Sequence, residues 1–277
     1  MGYLGRPMGD TNGHRRILSF LEGLSVPPGA RLLDVPAGSG PVAEGARALG
    51  YDVVGLDLFP ERGFRGVQAD ACGCFPFASG SFDVVVSMEG IEHFEDQATF
   101  VRECARMLKP GGTLVLTTPN ILHLNARFSA FLTGQRLLKH GFINEVATLR
   151  SNEGGRLYHG HAFLIDAFRL RYLLRIAGLR LVDLKGTSLS PTSVGLAPFV
   201  PLIALGTRIA TRSARKRLIK SGRERPDEEL ERELESVALN PALLFRKKLI
   251  VVAQATGDPV AGERAREDSA PAVTGAR

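Results

Sequence analysis

The stretch RLLDVPAGSG, residues 31–40, has the composition of a turn that holds a nucleotide-like ligand. A short apolar run ends in Asp34 and breaks into a turn containing Pro36, Gly38 and Gly40. Glycines there let the backbone approach a ligand and adopt φ values closed to other residues, and the helix start that follows offers unpaired N–H groups. The next apolar run, DVVGLDL at 52–58, carries Asp57 at its end, 17 residues after Gly40, where one carboxylate can accept both hydroxyls of a ribose. The pair points to a nucleoside. A third set, Glu89, Glu92 and His93, follows the run FDVVVSM. An imidazole at the carboxyl edge of an open α/β sheet can take a proton from a hydroxyl, with Glu92 beside it. Alternatively, Glu92 and His93 bond neighbouring loops and only shape the pocket.

A dinucleotide-binding turn places a third glycine near position 43, and this chain has Ala43. The segments QADACGCFPFASGSFDVVVSMEGIEHFED (68–96) and FVRECARMLKPGGTLVLTTPN (100–120) instead resemble the class I S-adenosylmethionine-dependent methyltransferases. They are most similar to the large bacterial group with an acidic residue after strand three, a PF…FD step into strand four, EH after it and LKPGG before strand five. The resemblance is strong over residues 28–120 and weak over 160–187 and 245–255.

It implies an α/β, Rossmann-like class I methyltransferase fold: a mostly parallel seven-stranded sheet with an antiparallel last strand and helical insertions. It also implies S-adenosyl-L-methionine as cofactor. The Gly38/Gly40 loop would pass the amino-acid moiety, Asp57 would take the ribose, Asp70 with the backbone of Ala71 would face the adenine, and Pro36 and Leu58 would complete the cofactor-binding set. Asp34 would contact the ligand directly or through water. One departure is Pro36, which stands where the family has its first loop glycine and so removes a backbone donor. The spacing Glu89-x-x-Glu92-His93 is similar to that in ubiquinone-pathway and small-RNA terminal 2′-O-methyltransferases, where it helps hold a divalent metal. The expectation is a metal-free site, with Glu89, Glu92 and His93 as the alternative magnesium or manganese ligands.

Positioning these residues requires a regular frame. Apolar periodicity predicts strands near 31–35, 52–58, 66–70, 82–88, 112–118, 180–186 and 247–254, and helices near 13–24, 41–49, 97–108 and 166–177. Strands alternating with helical segments argue for right-handed crossovers and a parallel sheet. Residues 1–256 read as a single domain with two insertions, and 257–277 as a disordered tail with almost nothing to bury. The insertion at 120–165 reads as an acceptor-binding cap in which His123, His159 or His161 can supply a base and Tyr158 a stacking face. The insertion at 188–246 joins the apolar run 196–210 to seven basic residues in 208–223 without an acid, followed by six acids in 227–235. Two readings stay open: a peripheral membrane contact through 196–223, or a helical hairpin pairing basic with acidic and packing its apolar part on the core.

Composition sets the outer bounds. At 44% hydrophobic, 277 residues suffice for one large α/β domain without disulfides. Cys72, Cys74 and Cys104 lack a zinc-type ligand pairing and read as reduced thiols in a cytoplasmic protein. No signal peptide is expected. The net charge of +6 permits nucleic acid, but no RNA-binding module is visible and DNA is not expected. The function expected is O-methylation of a small molecule, a sugar or a lipid-linked intermediate. The alternatives are RNA 2′-O-methylation, or a cofactor binder without catalysis, at which Pro36 hints. Oligomeric state is not legible.

Overall fold

The computed structural model describes residues 11–38, 40–60, 65–134, 143–144, 149–151, 157–222 and 228–256. The tail expected at 257–277 and the N-terminal ten residues lie outside them. The core runs α1 (Thr11–Glu22), β1 (Arg31–Asp34), α2 (Pro41–Ala48), β2 (Asp52–Asp57), β3 (Gly66–Gln68), β4 (Phe82–Met88), α3 (Gln97–Met107) and β5 (Leu108–Pro119). After α4 (Leu124–Thr133) and a small antiparallel pair, β6 (Leu149–Ser151) and β7 (Leu157–His159), it resumes with α5 (Ala167–Ile176) and β8 (Leu179–Gly186). The second insertion contributes α6 (Pro191–Gly195), α7 (Val200–Lys220), α8 (Glu228–Leu239) and α9 (Pro241–Phe245) before the last strand, β9 (Lys248–Ala255).

The large sheet has the order β3-β2-β1-β4-β5-β9-β8. Strands β3 through β5 pair in parallel, and β9 is antiparallel to both β5 and β8, so six strands share one direction. Both faces are covered, which is why β1 and β4 read as continuous apolar runs. Alternation divides them: Leu33, Val85 and Leu116 face α3 and α5, whereas Leu32, Val84, Val86 and Val115 face α1 and α2. Helix α3 presents Phe100, Val101, Cys104 and Met107 at helical spacing and starts on Asp96, whose carboxylate accepts from the Thr99 N–H at 2.8 Å. Asp166 caps α5 the same way through the Phe168 and Arg169 N–H groups.

Two motifs of the resemblance lie at the opposite edge of the sheet from the ligand turn. Lys109 of LKPGG reaches both oxygens of Asp83 of the FD step at 2.8 Å, and Asp83 also accepts from the Arg31 N–H at 2.9 Å. They tie the starts of β1, β4 and β5 together.

The basic and acidic parts of the second insertion do meet, with Arg215 and Glu231 3.6 Å apart between α7 and α8. The apolar part does not go to the core: α7 contributes no buried residue. No helix among the described residues is long and apolar enough to cross a membrane.

Where β5 ends, Asn120 is buried and fully engaged. Its amide nitrogen donates toward the carbonyls of Ala242, Leu243 and Arg246 at 3.3, 2.8 and 2.7 Å, and its Oδ1 accepts from the Leu122 N–H at 2.9 Å. One side chain thus locks the entry of the first insertion onto the return of the second. Asn120→Ala should destabilise the protein by about 2–4 kcal/mol in urea unfolding, because several buried backbone groups lose their partner together.

Candidate active site

The ligand turn folds against the end of β2. Gly38 and Gly40 have φ of 53° and 81°, the left-handed region, and Gly40 caps the start of α2 with Pro41 at its first position. Asp57 is buried, and its carboxylate accepts from the Gly38 N–H at 2.8 Å and from the Phe59 N–H at 2.7 Å. Asp34 lies beneath the turn, 2% exposed, accepting from the Ala43 N–H, with Oδ2 unpartnered. Burial pushes its carboxyl from 3.8 up to about 8 against the Ala43 bond, and the nearby Asp57 charge adds to the rise. Leu58 is half-buried beside Asp57.

Pro36 follows a cis peptide bond and is accommodated from across the sheet. A Cβ on Gly90 would stand 2.4 Å from Pro36 Cδ, so the absence of a side chain at 90 gives the ring its space. Neither residue announces the other in the sequence.

Beyond β3, Asp70 is exposed and accepts from the Cys72 N–H at 2.8 Å, while Ala71 is buried. The segment after them is clamped by α3: Glu103 accepts from the Phe75 N–H at 2.7 Å, and Arg106 donates to the carbonyls of Phe75 and Phe77 at 2.9 Å. Sequence reasoning missed this clamp.

At the end of β4 the short 3₁₀ turn Ile91–His93 places Glu92 fully inside. Thr118 Oγ1 donates to Glu92 Oε2 at 3.1 Å, and Glu92 Oε1 has no hydrogen-bond partner. Burial raises the Glu92 carboxyl, and the neighbouring Glu89 charge raises it further. His161 brings Nε2 to 4.0 Å from Glu92 Oε1, and its ring meets that of His93 edge-on at 5.2 Å. One ligand atom from each of Glu92, His93 and His161 lies within 4.8 Å of the others. Glu89 turns elsewhere: it adopts φ 51°, an uncommon conformation for a side-chain-bearing residue, and pairs with Lys248 at 3.0 Å. Its N–H donates to the Thr117 carbonyl at 3.1 Å.

Of the other cap candidates, His123 is buried; its Nδ1 accepts from the Ala126 N–H at 3.2 Å and lies 3.1 Å from Ser193 Oγ, which makes it a cap of α4. Tyr158 and His159 lie on β7. Thr118 and Lys248 were not foreseen. A hydroxyl ending a strand is a weak signal, and Lys248 arrives from the last strand, far along the chain.

A family model for the methyltransferase domain matches residues 10–184. The chain belongs to this methyltransferase family. A ubiquinone biosynthesis O-methyltransferase of Xanthomonas axonopodis pv. citri is 34% identical over 191 residues, 63% of this chain and 72% of the relative. One from Burkholderia thailandensis is 27% identical over 201 residues, 67% of this chain and 79% of the relative. A solved SAM-dependent methyltransferase from Archaeoglobus fulgidus superposes with a TM-score of 0.48 at 16% identity, covering 87% of this chain and 91% of that one.

The methyltransferase is S-adenosyl-L-methionine-dependent, and its donor set fits that cofactor. A Cβ on Gly38 or Gly40 would meet nothing within 4 Å, so the inner turn is bare backbone. The orphaned Asp34 Oδ2 and the spare lone pairs of Asp57 complete a polar cradle.

Two outcomes follow from this geometry. Gly90→Ala should destabilise the methyltransferase by about 1–3 kcal/mol through overlap with Pro36, and should cost much less in a Pro36→Gly background; a double-mutant cycle on urea unfolding measures the coupling. Because the folded protein retains the Asp34 proton that the unfolded chain has released, stability from this group falls as pH rises from about 4 toward about 8. Asp34→Asn cannot titrate. Its stability relative to the parent should therefore increase by about 1–3 kcal/mol between about pH 5 and about pH 8, read in unfolding of the cofactor-free protein.

Proposed function

We propose that the chain methylates a hydroxyl oxygen of a small-molecule acceptor. The observation that carries this reading is the meeting of Glu92, His93 and His161 at the carboxyl end of β4, because a hydroxyl acceptor must lose a proton and these groups can receive or direct it. The 34% identity to a protein named a ubiquinone biosynthesis O-methyltransferase supports the same chemistry. A lipid-linked acceptor, met at the cytoplasmic face of a membrane, is the form of this reading that the composition of residues 196–223 favours.

Bound S-adenosyl-L-methionine supplies a methyl group already activated by its sulfonium. The residues of this chain align and deprotonate. Gly38 and Gly40 present bare backbone to the amino-acid end, Asp34 lies beneath that end, and Asp57 with Leu58 holds the ribose. Asp70 and the Ala71 backbone line the adenine side, and the Glu103–Arg106 clamp keeps their loop in place. His93 accepts the acceptor proton, and buried Glu92, held by Thr118, orients the neighbouring imidazoles. The alternative use of this set is to hold magnesium or manganese, for which the Glu92 carboxylate and acceptor oxygens are suitable ligands, the two imidazoles favouring manganese over magnesium; such a cation would acidify the acceptor hydroxyl. Glu89 then contributes charge near the set from its pairing with Lys248.

Turnover on a catechol or phenol panel with labelled cofactor tests the reading. His93→Ala should lower kcat by roughly 10²–10⁴ with cofactor affinity kept. Asp57→Ala should weaken cofactor binding by about 1.5–3 kcal/mol in calorimetry. Activity that survives excess chelator removes the cation from the reading; activity lost to chelator and restored by magnesium or manganese assigns the set to a cation. Full activity of His93→Ala reduces this histidine to scaffolding.

A further inference from the structure

We propose that the outward face of α7 is a docking surface for an anionic lipid bilayer. One side of this 21-residue helix packs beside α8, where Arg215 reaches Glu231. The other side carries Leu202, Leu205, Ile209, Arg212, Lys216 and Lys220, whose spacing of three and four residues puts them on a single stripe. The three apolar members are 65%, 55% and 59% exposed. An apolar stripe left in water on a helix that buries nothing calls for a covering partner.

Charge selects the partner. The sequence contains no Asp or Glu between Asp183 and Glu224, so the basic half of the stripe meets no acid from its own segment. Apolar and basic residues are segregated along the helix, apolar at its start and basic at its end. That gradient suits a helix lying obliquely in a membrane interface, with Leu202, Leu205 and Ile209 in the acyl boundary and the cationic end against lipid phosphates. The helix rests on the surface and does not span it.

The surface is connected to the catalytic edge. Helix α7 follows α6 through the turn Ala197–Phe199, and Ser193 of α6 accepts from the Asn125 N–H at 3.1 Å and lies 3.1 Å from His123 at the start of α4. A bilayer held by α7 is therefore linked through α6 to the segment leaving β5. The proposal goes beyond the methylation reading and stands whatever the acceptor is.

The test uses the full chain with vesicles of phosphatidylcholine alone or mixed with phosphatidylglycerol. The protein should co-sediment with the mixed vesicles at low salt, and at least about tenfold less with pure phosphatidylcholine or at high salt. The variant Arg212→Glu/Lys216→Glu/Lys220→Glu should lose at least about tenfold in vesicle binding with cofactor affinity unchanged. Because the chain has no tryptophan, Leu205→Trp gives a single reporter whose emission should shift to the blue on vesicles and be quenched by brominated lipid. This readout decides the matter even if the charge-reversed variant does not fold. Protein that stays in the supernatant with mixed vesicles at low salt overturns the proposal. So does vesicle binding with an unshifted Leu205→Trp signal, which places the contact elsewhere. A dimer abolished by Ile209→Asp, without vesicle binding, overturns it in favour of a second copy of the chain.

Discussion

Parallel pairing of Leu32 with Val53 on one side and with Val84 on the other obliges the chain to return through a crossover after each central strand. All the strand ends that follow from this pairing open on one edge of the sheet. Asp34, Asp57, the Asp70 loop and the Glu92–His93 turn are far apart in sequence and become neighbours only because β1, β2, β3 and β4 point the same way. The antiparallel β9 does not disturb this edge; it delivers Lys248 to it, opposite Glu89.

Within that edge, buried polar groups do the fine positioning. The Asp57 carboxylate pins the glycine turn through the Gly38 N–H, and Thr118 pins Glu92. In a low-dielectric interior such bonds hold geometry firmly, and the same environment raises the carboxyls of Asp34 and Glu92. Burial thus favours the protonated form of these two carboxyls. Pro36 belongs to the same economy of space: the turn gives up one backbone donor, and Gly90 across the sheet yields the volume its ring needs.

The two insertions are coupled to the core by side chains rather than by extended pairing. Asn120 bridges the first insertion to α9, and His123 contacts Ser193 at the root of the second. Around these anchors the insertions differ in character. The first mixes a helix with a short strand pair, and the second carries a long helix, inside its acid-free stretch of sequence, with an apolar stripe turned outward.

Local pattern determined a great deal of this protein. Continuous apolar runs in strands such as FDVVVSM, and helical spacing in α3, settle where the elements lie, because burial on both faces of a sheet, or on one face of a helix, leaves a local pattern in a short window. The turn glycines, Asp57 and the EH pair stood out as candidates for a similar reason: their types suit one kind of chemistry at one kind of strand end. What tertiary structure alone decided are the contacts between distant segments. His161 joining Glu92 and His93, Lys248 drawing Glu89 aside, Gly90 making room for Pro36 and Arg106 clamping the loop after Asp70 each depend on a three-dimensional approach that no local window contains. The outward turn of the α7 stripe is of the same kind, since the sequence shows that a helix is amphipathic but not which of its faces finds a neighbour.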